Sequence, residues 1–327
     1  MEQWKTLFKD VQGQIADLER AIASTDGIPI KENLLLEALH VHPVETPILN
    51  RLVVLEGSGS AVEWKEVTGF STGGSVFYAE GGTPQDTESS YVSRSAGYKL
   101  MGFTFGVTGF ARAAGATFED AQTTERQNAI ISLKKQIENA IINADGTSNS
   151  FEGLITQITA DNSAYVTSIG GNLVMDDIKT ALREANDAGY QINYMLMSSV
   201  EAGTLNDLVL DAGAHSITVV RGEQGMMAGS NRVTHVIDPI TGVPVEVIPH
   251  RNMSQGTIVG VPERLPAPVP GRQGQRGIWW DELLPITEVE ASNSGADNTE
   301  YFLKTYATLP FPGRRGAFKL TDIAAPS

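Results

Sequence analysis

The chain has no cysteine among its 327 residues. Disulfides, thiolate zinc sites, iron–sulfur clusters and cysteine nucleophiles are therefore excluded, and the fold stands without covalent staples. A secretory apolar segment is also missing, the N-terminus opening instead on the charged stretch Met1 to Asp10. No run approaches the roughly 18 apolar residues that span a bilayer, so a protein made and used in cytoplasm, with no membrane partner, is expected. Cations are scarce. Lys plus Arg is 24 against 39 for Asp plus Glu, a formal net charge of −15 and the wrong sign for gripping phosphates. Binding to a nucleic-acid backbone is therefore not expected of such a chain. Glycine, by contrast, is abundant at 33 residues, which favours loops, hairpins and bulges. With 41% hydrophobic and 19% charged residues the composition is globular, and the length calls for two or three subdomains, at least one inserted into another.

Trp4, Leu7, Phe8, Val11, Ile15, Leu18 and Ile22 recur at helical spacing and predict an amphipathic helix ending near Gly27. A second short helix, Glu32 to Ala38, and an extended segment, His42 to Pro47, complete an arm. From Val62 to about Tyr98 helical periodicity disappears and Gly69, Gly73, Gly74, Gly81, Gly82 and Pro84 interrupt the middle. This predicts a long hairpin with sides of roughly 12 to 18 residues, reaching on the order of 40 to 60 Å. An isolated two-stranded ribbon is not stable in water, so ordered structure here implies packing against another chain. Met101, Phe103, Phe105 and Val107 alternate as a half-buried strand. A helix from Phe118 to about Ala144, starting near Thr117, then carries Ile130, Leu133, Ile137, Ala140, Ile141 and Ala144 on one face. Helices over Val174–Ala188 and Ser198–Leu210 flank a strand over Tyr190–Met197. Short strands between Val233 and Val261 turn at Asp238-Pro239 and Thr241-Gly242, and an exposed proline-rich loop runs from Val261 to Gly277. Strands over Glu300–Leu309 and Ala317–Ile323 end the chain.

Chemistry is hard to place on this sequence. Phosphate loops, dinucleotide glycine fingerprints, zinc-protease helices and nucleophile elbows are missing. The histidines stand at positions 40, 42, 215, 235 and 250, and only His40 and His42 share a face of an extended segment, with no third ligand in view. Carboxylates such as Glu63, Glu66, Asp176, Asp177, Glu288 and Glu290 are what any acidic protein offers. Gly222-Glu223-Gln224-Gly225 and Gly57-Ser58-Gly59 lack the Lys and helix that phosphate cradling needs. Arg314, Arg315 and Lys319 form the best basic cluster and read as a solvated surface. No catalytic, cofactor-binding or metal-binding residue is assigned, and an enzyme is not expected.

The order of elements, with Glu45-Thr46-Pro47-Ile48-Leu49-Asn50-Arg51-Leu52 before the hairpin, Ala79-Glu80-Gly81-Gly82 at its tip, Phe151-Glu152-Gly153-Leu154 after the long helix and Tyr301 to Leu309 late in the chain, resembles the major capsid proteins of tailed bacteriophages, the Hong Kong phage (HK-type) fold. The resemblance implies an α+β fold with an N-terminal arm (1–61), an extended loop (62–98), a peripheral domain with a spine helix (99–168), an axial domain (169–290) and returning strands of the peripheral domain (291–327). It implies a virion subunit, assembled in the host cytoplasm, that forms hexamers and pentamers of an icosahedral shell around double-stranded DNA without sequence-specific binding. Partners would be further copies of itself, a separate scaffolding protein and a portal, because the stretch before the loop is too short for a cleaved scaffolding segment plus an arm. Inter-subunit contacts are expected at Trp4, Phe8, Ile15, Phe70, Phe77, Tyr78, Glu80, Tyr91 and Arg94. An encapsulin-type compartment shell is the alternative within the fold, and a soluble α+β enzyme the alternative outside it.

Some relatives of this type cross-link through a loop Lys, but no Lys lies between Thr68 and Tyr98 here. Boiled particles should therefore run on a denaturing gel as a single 35.1 kDa band; a ladder of covalent oligomers would contradict this and direct attention to Lys65 and Lys99.

Overall fold

The computed structural model describes residues 46–70, 76–83, 86, 88–110, 113, 121–147, 149–161, 164–211, 233–266, 275–291 and 298–324. The expected arm helices, the start of the long helix at Thr117, and His40, His42 and His215 lie outside the described residues. In chain order the elements are α1 (Pro47–Arg51), β1 (Val54–Glu56), β2 (Ala61–Phe70), β3 (Ser89–Gly97), β4 (Lys99–Thr108), α2 (Ala121–Asn143), α3 (Leu154–Ala160), β5 (Tyr165–Gly171), α4 (Met175–Asp187), β6 (Tyr194–Met197), α5 (Ser199–Asp211), β7 (His235–Ile237), β8 (Pro244–Pro249), β9 (Ile258–Val261), β10 (Trp280–Ala291), β11 (Asn298–Thr308) and β12 (Phe318–Ile323).

Helix α2 has 23 described residues, about 34 Å at 1.5 Å each. Leu133, Ile137, Ile141 and Ile142 are buried along it, as the apolar periodicity predicts. It lies against a four-stranded sheet of order β1-β10-β11-β4. Gly153 then lets the chain turn back tightly, since a Cβ there would stand 2.7 Å from both Ala140 O and Ala144 N of the helix end. A six-stranded sheet of order β5-β12-β9-β6-β8-β7 forms the second layer. Its central strand β6 is buried on both faces, which explains the uninterrupted apolar run Tyr194-Met195-Leu196-Met197. Tyr194 and Leu196 join the core around α2, whereas Met195 and Met197 join a separate core with Ile178, Leu182 and Leu205 of α4 and α5. One sheet therefore serves two cores.

The short helix α1 ties these layers together. Pro47 starts it, and the next two N–H groups, those of Ile48 and Leu49, donate to the two carboxylate oxygens of Glu138 at 2.8 Å each. Glu138 is fully buried in the apolar stripe of α2. Its Oε1 also meets His250 Nε2 at 3.0 Å, just beyond β8, while His250 Nδ1 accepts the Asn252 N–H, which puts the ring proton on the side facing Glu138. At the other end of α1, Arg51 pairs with Glu246 and Glu263 and lies over the Tyr194 ring, 4.7 Å from its centre.

The structure departs from expectation in particular places. The described ladder of the hairpin holds 10 and 9 residues in β2 and β3, about 33 Å of strand, and residues 71–75, 84, 85 and 87 of its middle lie outside the described residues. Strand β10, lying almost wholly inside the expected 169–290 segment, belongs to the four-stranded sheet, and β12, inside 291–327, belongs to the six-stranded sheet. The expected exposed loop begins buried, at Val261 and Pro262, and returns buried at Gly277. Arg314 is not solvated either; its side chain is 10% exposed and ion-paired to two carboxylates.

Replacing Glu138 by Ala strands two helix N–H groups and one imidazole in the core, and should destabilise the unassembled subunit by about 3 to 5 kcal/mol in urea unfolding, with Glu138→Gln intermediate. A Glu138→Ala subunit within about 0.5 kcal/mol of the parent would show that the joint is not held this way.

Candidate functional site

Strands β2 and β3 form a two-stranded sheet that pairs with no other strand among the described residues, its register running from Ala61 opposite Gly97 to Phe70 opposite Ser89. No described residue of this ribbon is buried. Its inner face, Val62, Trp64 and Glu66 opposite Ala96, Arg94 and Val92, is half-covered near the body apart from Arg94. Its outer face sets Val67 directly opposite Tyr91, both exposed. At the tip Val76 and Phe77 are each 85% exposed and Tyr78 60%. Single exposed apolar side chains are ordinary; a whole ordered element without a buried residue is not.

The ribbon root is attached by polar groups. Tyr98, where the ribbon re-enters the body, donates its hydroxyl to Asp281 Oδ1 at 2.6 Å; burial and this hydrogen bond push the phenol up to about 12. Gly57 makes the approach possible, because a Cβ there would meet the Tyr98 oxygen at 2.1 Å. Trp279 Nε1 donates to the other Asp281 oxygen, and the Trp279 ring meets Trp64 edge-on with centres 6.4 Å apart. Further out, Glu66 accepts the Trp64 indole N–H at 2.8 Å and two bonds from Arg314 Nη2 at 3.0 and 3.2 Å. Arg314 Nε donates to Asp161 at 2.9 Å. Arg94 stands 3.7 Å from Glu66 on the solvent side.

Of the predicted contact residues, Phe77, Tyr78 and Glu80 are at the exposed tip, and Tyr91 and Arg94 are exposed on β3. The backbone of Phe70 ends β2, but its side chain lies outside the described residues, as do Trp4, Phe8 and Ile15. Sequence reasoning missed Arg314, Asp161, Asp281 and Trp279, which come from segments far from the hairpin. The signal available was Trp64 itself, a large aromatic side chain between the charged Glu63 and Lys65. Among the described residues no grouping of His, Asp and Glu could hold a metal ion.

The ribbon is thus held at its root, half-covered on its inner face and exposed on its outer face and at its tip. The profile of the SU10 major capsid protein family matches residues 12–323. The chain belongs to this family. No curated protein matches its sequence. Among solved structures, the cyanophage A-1(L) capsid shares the fold with TM-score 0.70 at 14% identity, over 89% of this chain and 96% of that one. The capsid of a native GTA particle does so with TM-score 0.67 at 13% identity, over 93% and 98%. The SrpI encapsulin of Synechococcus elongatus is less similar, with TM-score 0.58 at 13% identity over 89% and 94%. As a major capsid protein of the tailed-phage type, with the HK-type α+β fold, this family member is a structural subunit of an icosahedral viral shell and a component of the virion.

Proposed function

We propose that the capsid subunit assembles by laying its ribbon on a second copy, building hexamers and pentamers around packaged double-stranded DNA. The observation that carries this reading is the unburied ribbon, with Val67 and Tyr91 on its outer face and Val76, Phe77, Tyr78 and Glu80 at its tip. The tip lies beyond the paired strands, at the end of about 33 Å of ladder. The four-stranded sheet has a matching exposed face, where Leu100, Phe302 and Tyr306 surround Lys304. A tip with apolar side chains and Glu80 fits such a face on a neighbour. The apolar stripe of Trp4, Phe8 and Ile15 supports a second contact with a neighbouring copy.

The peripheral part is read as α2 with the four-stranded sheet, and the axial part as the six-stranded sheet with α4 and α5, so the bounds 99–168, 169–290 and 291–327 shift at β10 and β12. The contained DNA meets a shell of acidic subunits whose most clustered cations include Arg314, already engaged by Glu66 and Asp161, and this supports enclosure without sequence reading. Assembly in the host cytoplasm with a separate scaffolding protein and a portal completes the reading, and nothing in it requires catalysis.

Gly69 and Ser90 are paired across the ribbon, so the outer ribbon between them is removable with a short linker without disturbing the root. The shortened subunit should stay folded and soluble yet form no shells in electron micrographs. Shells at normal yield would overturn the assignment of the ribbon.

A further inference from the structure

We propose that Arg314 and Glu66 are positioning residues that set the direction in which the ribbon leaves the subunit. The inference rests on the reading that the ribbon docks on a second copy. It goes beyond that reading because it concerns the angle of approach and not the contact.

The root has two kinds of attachment. Tyr98 on Asp281 fixes where the ribbon begins, since Tyr98 is the residue just after β3. A single hinge point leaves direction open. Glu66 is five residues along β2 from Ala61, about 16 Å from the start of the strand, and a hold at that distance controls angle as a hinge does not. The polar hold there is one guanidinium, two residues beyond the edge-on contact of Trp64 with Trp279. Arg314 uses Nε on Asp161, Nη1 on the Phe311 carbonyl at 3.3 Å and Nη2 on both oxygens of Glu66, so all three nitrogens are committed. Because the group is planar, fixing Nε and Nη1 on the body fixes the direction in which Nη2 presents its N–H groups to the Glu66 carboxylate.

The platform under Arg314 is rigid. Pro312 to Gly316 form a 3-10 turn in which Pro312, Gly313, Arg314 and Gly316 are all buried. The side chains of Arg314, Glu66 and Asp161 are 10%, 10% and 8% exposed, so ordinary salt screens them weakly. A buried ion triad adds little stability over apolar residues of similar volume, and what it supplies is a defined geometry. Geometry is what a shell needs from its connecting element. In a head-to-tail contact the rotation between neighbours decides whether the ring closes, so an error of angle at the root becomes an error of closure.

Glu66→Gln is the cleanest test, since the amide keeps the shape and an acceptor for Trp64 but loses the charge-assisted pair of bonds to Arg314. Hydrogen exchange of unassembled full-length subunits should show amides of residues 61–67 and 91–97 exchanging about tenfold faster or more, as expected for one lost charge-assisted hold, with α2 unchanged. Particles assembled from this variant should spread in diameter where the parent gives one size. Arg314→Lys keeps the charge but not the plane and should broaden the distribution likewise. Root exchange and particle size unchanged in Glu66→Gln would overturn the proposal, as would Arg314→Lys particles indistinguishable from the parent. Failure of the underlying docking reading looks different, since the subunit with the outer ribbon removed would then still form shells.

Discussion

A two-stranded ribbon cannot bury its own faces, and the architecture of this subunit follows from that constraint. No described side chain of β2 or β3 reaches a core, and under the proposed docking the element works only if its root is held firmly while its outer part meets another copy. The root satisfies the first condition mainly with directional polar contacts, Tyr98 on Asp281 and Glu66 on Arg314, beside the single edge-on ring contact of Trp64 with Trp279. Apolar contacts tolerate sliding and rotation. A planar guanidinium between two carboxylates does not.

The body behind the root is built to be stiff in the same manner. Glu138 sits in the apolar stripe of α2 and gathers two backbone N–H groups of α1 and the His250 imidazole, so the segment before the ribbon, the spine helix and the end of β8 share one carboxylate. A few residues on, Arg51 joins the same segment to Glu246, Glu263 and the Tyr194 ring. The strand β6 that carries Tyr194 is shared by both cores, so a load applied at the ribbon root is passed to both layers.

Much of this was legible in the sequence, and the parts that were not share a physical cause. Local signals read well: the α2 stripe, the Val174 to Ala188 helix, the glycine-broken hairpin and the terminal strands all stand where periodicity and punctuation put them. The twelve residues of β10 escaped because Pro285 and register shifts on both sides of Leu284 break the alternation that marks a strand. Arg314 read as surface because Arg-Arg beside Gly on a loop is normally wet; its partners Glu66 and Asp161 are 248 and 153 residues away in sequence. The buried Glu138 gave no signal for the same reason. A carboxylate in an apolar stripe is interpretable only once the groups that satisfy it are known. For the ribbon itself the residues named from the sequence include exposed ones at the tip and on β3, whereas the root, joined to the body by pairs distant in sequence, gave no signal.

The central claim, that this chain is complete only as one copy among many in a closed shell, is tested most directly by electron cryomicroscopy of the purified protein. The account predicts closed icosahedral particles in which density for residues 61–97 of each copy lies against a neighbouring copy. A uniform population of small oligomers, with that ribbon in solvent, would contradict it.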